Sequence, residues 1–219
     1  IDVAAAAQRN IPVTNCKGFN SDSVAELTVA LMIDSCRNLY PMYLGLREDN
    51  WMQDKFVNTS LTLRGQTVGI IGLGSVGRRV AKLLNAFGSK VVYYDVVRRS
   101  EQEENELNVS FLELNDLLAV SDIVTLHCPG SAKNEHLINR ETLALMKTTA
   151  ILINCSELLA LPNVIASPHV GGTTRGLGAG MIRLCMQFIL DFAGHKPIPV
   201  QNVVNYTILN DPAILEVME

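Results

Sequence analysis

Three glycines between a buried apolar run and a helix constrain this chain more than any other feature. Residues 68–77 read Val-Gly-Ile-Ile-Gly-Leu-Gly-Ser-Val-Gly, and Lys90-Val-Val-Tyr-Tyr-Asp95 closes on an acid. The pattern is strand, Gly72-x-Gly74-x-x-Gly77 turn, helix, then a second strand carrying Asp95 at its end. Each position has a physical task in holding a dinucleotide. Gly72 permits the tight turn, Gly74 admits a pyrophosphate to the backbone, and Gly77 lets helix and strand approach closely. The helix starting at Ser75 points free N–H groups and a positive dipole end at the phosphates. Asp95 follows Gly77 by 18 residues, where a carboxylate can grip both ribose hydroxyls.

The same acid selects between cofactors. A carboxylate repels the 2′-phosphate of NADP, so Asp95 favours NAD. Arg98 and Arg99 lie just past that strand, where an arginine can hold a 2′-phosphate. The plainer reading is an exposed pair neutralised by Glu101, Glu103 and Glu104, and it leaves NAD as the expected cofactor.

Charge and composition narrow the remaining classes. A net charge of −4 in 219 residues gives no electrostatic case for nucleic acid. Charges of both signs are mixed, so there is no polybasic patch for a membrane surface. No apolar run approaches the roughly 20 residues that span a bilayer, and Ile1-Asp2-Val3 opens without the charged and apolar regions of a secretory signal. The five cysteines, at 16, 36, 128, 155 and 185, form no CxxC pair. They read as reduced thiols in a cytoplasmic protein, and no metal is expected.

Periodicity supplies the organisation. Ile11 to Asn15 reads as a short strand. From Ser21, the stripe at 24, 27, 28, 31, 32, 35, 36 and 39, apolar except for Thr28 and Ser35, marks a long helix, ending near Tyr40-Pro41 or kinking there towards Leu46. Trp51 to Arg64 reads as a loop, and Val109 to Leu118 as a short amphipathic helix. Ile123–Cys128 and Ala150–Asn154 read as buried strands with a helix over 140–146 between them. Alternating strands and helices predict an α/β fold, a doubly wound parallel sheet. One interval breaks the rule. Asn163 to Ser167 reads as the next strand, yet it begins nine residues after Asn154, and parallel neighbours need a crossover of about a dozen residues or more. Either these strands pair unconventionally, or a segment is missing around 155–158.

Ordered blocks then carry a resemblance. Asp22-Ser-Val-Ala-Glu-Leu-Thr28, the glycine turn, Leu126-His-Cys-Pro129, His136-Leu-Ile-Asn139, Leu145-Met-Lys147, Ile151-Leu-Ile-Asn-Cys155 and Pro168-His-Val-Gly-Gly172 occur in sequence. The chain resembles the D-isomer-specific 2-hydroxyacid dehydrogenases, especially the branch containing D-3-phosphoglycerate dehydrogenase. The resemblance implies hydride transfer between NAD and a small D-2-hydroxy acid or 2-keto acid, of the 3-phosphoglycerate or glycerate, hydroxypyruvate and glyoxylate type. By motif match His169 is the acid/base, suited by an imidazole pKa near 6.5. Ser75 and Val76 donate N–H groups to the pyrophosphate. Cys128 and Pro129 resemble the adenosine-side wall, and Cys155 and Ser156 end the strand beneath the nicotinamide ribose. Gly171 and Gly172 form the loop beside His169. His127 sits near the adenine or packs at its strand end, and His136 and His195 are surface residues. A homodimer is the assembly implied.

Three departures qualify the resemblance. Glu157 follows Ser156 where the family places its arginine. The helix-strand segment bearing the family's orienting glutamate, roughly forty residues in the family, is missing at the short interval after Cys155. The substrate domain, about a hundred residues long in the family, is represented only by its end. Residues 1–19 read as a remnant of that domain, 20–195 as the dinucleotide-binding domain with its long crossover helix, and 196–219 as a segment returning to the substrate domain. The sequence is therefore expected to be a piece of a longer dehydrogenase that does not complete turnover unaided. A non-catalytic NAD(H)-binding regulator, in the manner of corepressors that resemble these dehydrogenases, is the alternative.

Overall fold

A computed structural model describes residues 1–130, 134–154, 164–166, 170–209 and 215–216. The chain divides into two compact units. Unit 1 joins Ile1–Asn20 to Thr173–Glu219, and unit 2 is Ser21–Gly172.

Unit 1 opens with α1 (Val3–Gln8), capped by Asp2, whose side chain accepts the Ala5 N–H. Unit 2 then runs α2 (Ser21–Arg37), α3 (Leu39–Arg47), α4 (Gln53–Phe56), β1 (Thr67–Ile71), α5 (Ser75–Ala86), β2 (Lys90–Tyr94), α6 (Glu101–Leu107), β3 (Ser110–Phe111), α7 (Leu114–Val120), β4 (Ile123–Leu126), α8 (Arg140–Leu145), β5 (Ile151–Asn154) and β6 (Val164–Ala166). Unit 1 resumes with α9 (Leu177–Ala193), β7 (Ile198–Pro199) and β8 (Leu215–Glu216).

The sheet of unit 2 is six-stranded, parallel throughout, in the order β3-β2-β1-β4-β5-β6. This is the doubly wound dinucleotide-binding order, with the direction of winding reversing between β1 and β4. Strands buried on both faces need apolar residues at nearly every position, which Val68, Ile70 and Ile71 in β1 satisfy at 0–1% exposure. One face is covered by α2 and α5, with Met32, Val80 and Leu84 packing on Val68, Ile70 and Ile153. The other is covered by α7 and its neighbours, with Leu117 and Leu118 against Ile71, Val124 and Leu152.

The short interval after Asn154 has a definite outcome. β5 and β6 pair in parallel, Leu152 opposite Val164 and Asn154 opposite Ala166, although only nine residues connect them. Those nine residues lie outside the described residues.

Several local expectations are corrected. The long helix does not break at Pro41. It ends at Arg37 because Asn38 takes a left-handed conformation, φ 55°, and a new helix begins at Leu39. Pro41 stands in the first turn of α3, where a missing N–H costs nothing. The loop over 51–64 contains α4. Ser110 and Phe111 form a strand on β2 rather than the start of a helix, and α7 begins only at Leu114. The strand expected at Ile11–Asn15 is a single antiparallel bridge, Thr14 with Val203.

α9 groups with unit 1, where its Phe188 is buried against Ile198 and Val203.

Candidate functional site

The glycine turn joins β1 to α5 at the sheet's carboxyl edge, beside the point where the winding reverses. Gly72 has φ +97°, a conformation that side chains rarely adopt. A Cβ there would also lie 2.7 Å from the Cys128 N and 2.8 Å from the His127 carbonyl carbon. Its N–H donates to the Tyr94 carbonyl at 2.8 Å, and the His127 N–H donates to the Ile71 carbonyl at 2.8 Å. The turn is thereby pinned between the ends of β2 and β4.

The other two glycines do different work. A Cβ on Gly77 would overlap the Gly72 carbonyl oxygen and stand 3.2 Å from Ile70 Cγ2, so glycine is required for α5 to reach β1. A Cβ on Gly74 would meet nothing within 4 Å. The space over Gly74 is left open by the protein itself. Gly74 is also the N-cap of α5, and no side chain caps it. The first N–H groups of α5, those of Ser75 and Val76 among them, therefore face an open cradle with a positive dipole end behind it. That arrangement fits a phosphate group.

Asp95 flanks the cradle. Its Oδ2 accepts the Leu73 N–H at 2.9 Å and pairs with Arg99 Nη2 at 2.8 Å. Both contacts fall on one oxygen, so among the described residues Oδ1 has no hydrogen bond and can accept from a ribose hydroxyl. The expected neutralisation of the two arginines by Glu101, Glu103 and Glu104 is corrected. Arg98 is bound in a bidentate pair by Glu104 alone, at 2.9 and 3.0 Å. Arg99 is partly buried on Asp95, and Glu103 pairs with Arg78 at 2.5 Å. The reason is local. α6 turns Glu104 inward to Tyr93, whose hydroxyl donates to it at 2.7 Å and accepts the Arg99 N–H at 2.9 Å. This network folds the loop back across the end of β2. Hydrogen bonds from Arg98 and Tyr93 hold the Glu104 carboxyl below its ordinary range.

Across the turn, Cys128 and Pro129 follow β4. A cavity of about 310 Å³ opens there, lined by Leu126, Cys128, Pro129, Asn134, Leu137 and Asn154. It lies at the carboxyl ends of β4 and β5, where doubly wound sheets take their ligands. Burial raises the Cys128 thiol pKa, and the charge of Asp95 raises it further. The thiol is a wall group and not an activated nucleophile. His127 packs at its strand end with Nε2 3.0 Å from Thr125 Oγ1. Burial lowers its pKa to about 4, so it is neutral at pH 7. His136 and His195 are exposed.

The expected acid/base His169 lies outside the described residues, as do Cys155 and Ser156. Gly171 and Gly172 are described, and Gly171 is buried where a Cβ would come within 3.3 Å of Val24 on α2. Sequence reasoning missed the Tyr93–Glu104–Arg98 network and the pairing of Arg99 with Asp95. The four-residue spacing from Asp95 to Arg99 was its one visible signal.

The order of strands, the turn and the acid describe a dinucleotide site, and the sequence comparisons decide its family. Residues 29–157 match the profile of the D-isomer specific 2-hydroxyacid dehydrogenase, NAD binding domain. The chain belongs to this family. It is 30% identical to a glyoxylate reductase of Thermococcus litoralis, over 95% of this chain and 74% of that protein. It is 34% identical to a D-3-phosphoglycerate dehydrogenase of Methanocaldococcus jannaschii, over 80% of this chain but only 40% of that protein. Among solved structures, the TT0316 protein of Thermus thermophilus superposes with a TM-score of 0.79 at 27% identity, covering 93% of this chain and 75% of that one.

Membership in this dehydrogenase family makes NAD the cofactor, and the open cradle at Gly74 with Asp95 beside it suits that molecule. The T. litoralis alignment is 249 positions long against a chain of 219 residues, so at least 30 of its positions have no counterpart here. Among the described residues no helix is long and apolar enough to cross a membrane.

Proposed function

We propose that the protein is an NAD-dependent dehydrogenase of small D-2-hydroxy acids, working on 3-phosphoglycerate or on acids of the glycerate, hydroxypyruvate and glyoxylate type. The observation that carries this reading is the glycine turn with its open face at Gly74, set beside a carboxylate with one free oxygen, in a chain of this family. Ser75, Val76 and Gly77 offer backbone N–H groups to the pyrophosphate. Asp95 holds the adenosine ribose through Oδ1, and Cys128 and Pro129 wall the adenosine side. Cys155, Ser156, Gly171 and Gly172 are assigned to the nicotinamide side by their motif positions. Bound nicotinamide supplies or accepts the hydride. His169 is assigned the proton, which it gives to or takes from the oxygen on the substrate's C2.

Unit 1 is read as the surviving part of a substrate domain. The positions with no counterpart here are assigned to the interval between β5 and β6, where the connection is shorter than a crossover requires. A cytoplasmic homodimer is the proposed assembly. Its support is the exposed apolar surface on α3 and around α4, where Tyr40 is 63% and Trp51 76% exposed and Leu46 and Val57 are exposed as well.

The test is NADH oxidation by the protein against a panel of 2-keto acids, with NADH binding followed in parallel. Turnover of glyoxylate, hydroxypyruvate or 3-phosphohydroxypyruvate supports the enzyme. Tight NADH binding with no turnover of any acid supports the second reading, a non-catalytic NAD(H)-binding regulator. Glu157, standing where the family has its arginine, favours that second reading.

A further inference from the structure

Two thiols from distant parts of the chain meet in unit 1. Cys16 Sγ lies 3.5 Å from Cys185 Sγ, although the residues are 169 apart in sequence. Cys16 sits in the loop after α1 and is partly buried. Cys185 is exposed on α9.

The contact follows from how that loop is seated. On one flank the Asn15 N–H donates to the Asn202 carbonyl at 2.8 Å, and Asn202 Nδ2 donates back to the Asn15 carbonyl at 2.9 Å. On the other flank the Phe19 N–H donates to the Cys16 carbonyl at 3.1 Å, closing a turn. The Phe19 ring then fits against α9 where a side chain would otherwise be. A Cβ on Gly180 would lie 2.6 Å from Phe19 Cζ and 3.1 Å from Cε1. Asn202 and Gly180 thus hold the loop on both sides of Cys16.

Sulfur atoms in a disulfide stand about 2.05 Å apart. A gap of 3.5 Å is a direct contact between the two thiols, with each sulfur already the neighbour of the other. Burial, and secondarily the neighbouring sulfur of Cys185, raise the Cys16 pKa. At neutral pH Cys16 therefore rests as the thiol. The other described cysteines are placed differently. Cys36 is buried in α2, and Cys128 walls the cofactor cavity.

We propose that Cys16 and Cys185 form a redox-active dithiol that closes to an intramolecular disulfide by exchange with a low-molecular-weight disulfide. The exposed Cys185 thiolate attacks one sulfur of the oxidant, forming a mixed disulfide and releasing the first small thiol. Cys16 loses its proton and attacks Cys185 Sγ, displacing the second small thiol. One oxidant disulfide becomes two thiols, and two protein thiols become one disulfide. The bond ties the segment leading into Ser21 to the helix that follows Gly172, the two stretches by which unit 1 joins the rest of the chain. Linking such distant residues restricts the unfolded chain and stabilises the oxidised form.

The test uses the full chain, reduced and then incubated with oxidised glutathione. Free thiols titrated after denaturation fall from five to three, since two of the five cysteines are consumed. Peptide mapping without reductant recovers the Cys16 and Cys185 peptides joined. Cys16→Ser and Cys185→Ser each abolish the joined peptide, and Cys36→Ser does not. Oxidation raises the thermal midpoint of the wild type and leaves that of Cys16→Ser unmoved. A lasting glutathione adduct on Cys185 alone, a dimer linked through Cys185, or an unchanged thiol count would overturn the proposal. None of these readouts depends on NADH or on any acid, so the result stands apart from the proposed enzyme activity.

Discussion

Asp95 accepts the Leu73 N–H at 2.9 Å through the same oxygen that pairs with Arg99. The carboxylate thus braces the glycine turn while its other oxygen stays available. Removing it breaks a charge-assisted hydrogen bond of about 1.5–3 kcal/mol, so Asp95→Ala weakens NADH binding by roughly tenfold or more. It also releases Arg99, so the preference for NADH over NADPH shrinks. Fluorescence titration with both cofactors checks this. A preference that stays the same would refute the role assigned to Asp95.

Gly77 and Gly74 separate packing from binding. Gly77→Ala forces a Cβ onto the Gly72 carbonyl and costs about 1–3 kcal/mol of stability by overpacking. Gly74→Ala meets no protein atom and loses only glycine's preference over alanine at an N-cap, about 0.5–1 kcal/mol. It nevertheless puts a methyl group where the pyrophosphate approaches, so NADH binding drops. Urea melts paired with NADH titrations distinguish the two. Equal loss of stability in both variants would contradict this reading of the turn.

His127 makes stability fall with acid. Its folded pKa is about 4, below the ordinary 6.5, because burial disfavours the imidazolium. The unfolded chain therefore binds the proton first. Stability present above pH 6.5 declines as pH falls towards 4, by on the order of 2–3 kcal/mol. His127→Gln flattens that limb in urea melts run from pH 7 to pH 4. Glu104, whose folded pKa is depressed, acts in a lower window: its contribution is lost as pH falls below the ordinary carboxylate range.

The exposed apolar surface around Trp51 gives the proposed dimer a direct check. Leu46→Asp combined with Trp51→Ser puts charge and lost area into a face that a partner would bury. Sedimentation shows a dimer for the wild type and a monomer for the double variant, while circular dichroism shows that the variant remains folded. Sedimentation of the wild type as a monomer at all concentrations would end the dimer reading.

Much of the nucleotide half was legible because its residues answer local demands. Gly72, Gly74 and Gly77 each state a steric condition that short-range sequence can express, and β1 and β4 announce themselves as largely apolar runs. Other features depended on partners that no local pattern displays. Asn38, not Pro41, ends α2, because a left-handed residue terminates a helix while a proline in a first turn does not. Ser110 and Phe111 are too few to show a period of two. Gly180 looks like a helix breaker until Phe19 fills the space it leaves. Arg99 chooses Asp95 over three nearby glutamates because Tyr93 and Glu104 fold its loop.

The strand order has a consequence for how the sheet is assembled. β1, β2 and β3 are adjacent both in space and along residues 67–111, so this half closes through short-range pairings. β3 and β6 are the two edge strands, and each holds a single neighbour, β2 and β5 respectively. Loss of β6 strips the β5–β6 pairing alone, while β1, which leads into Gly72, keeps both of its neighbours, β2 and β4.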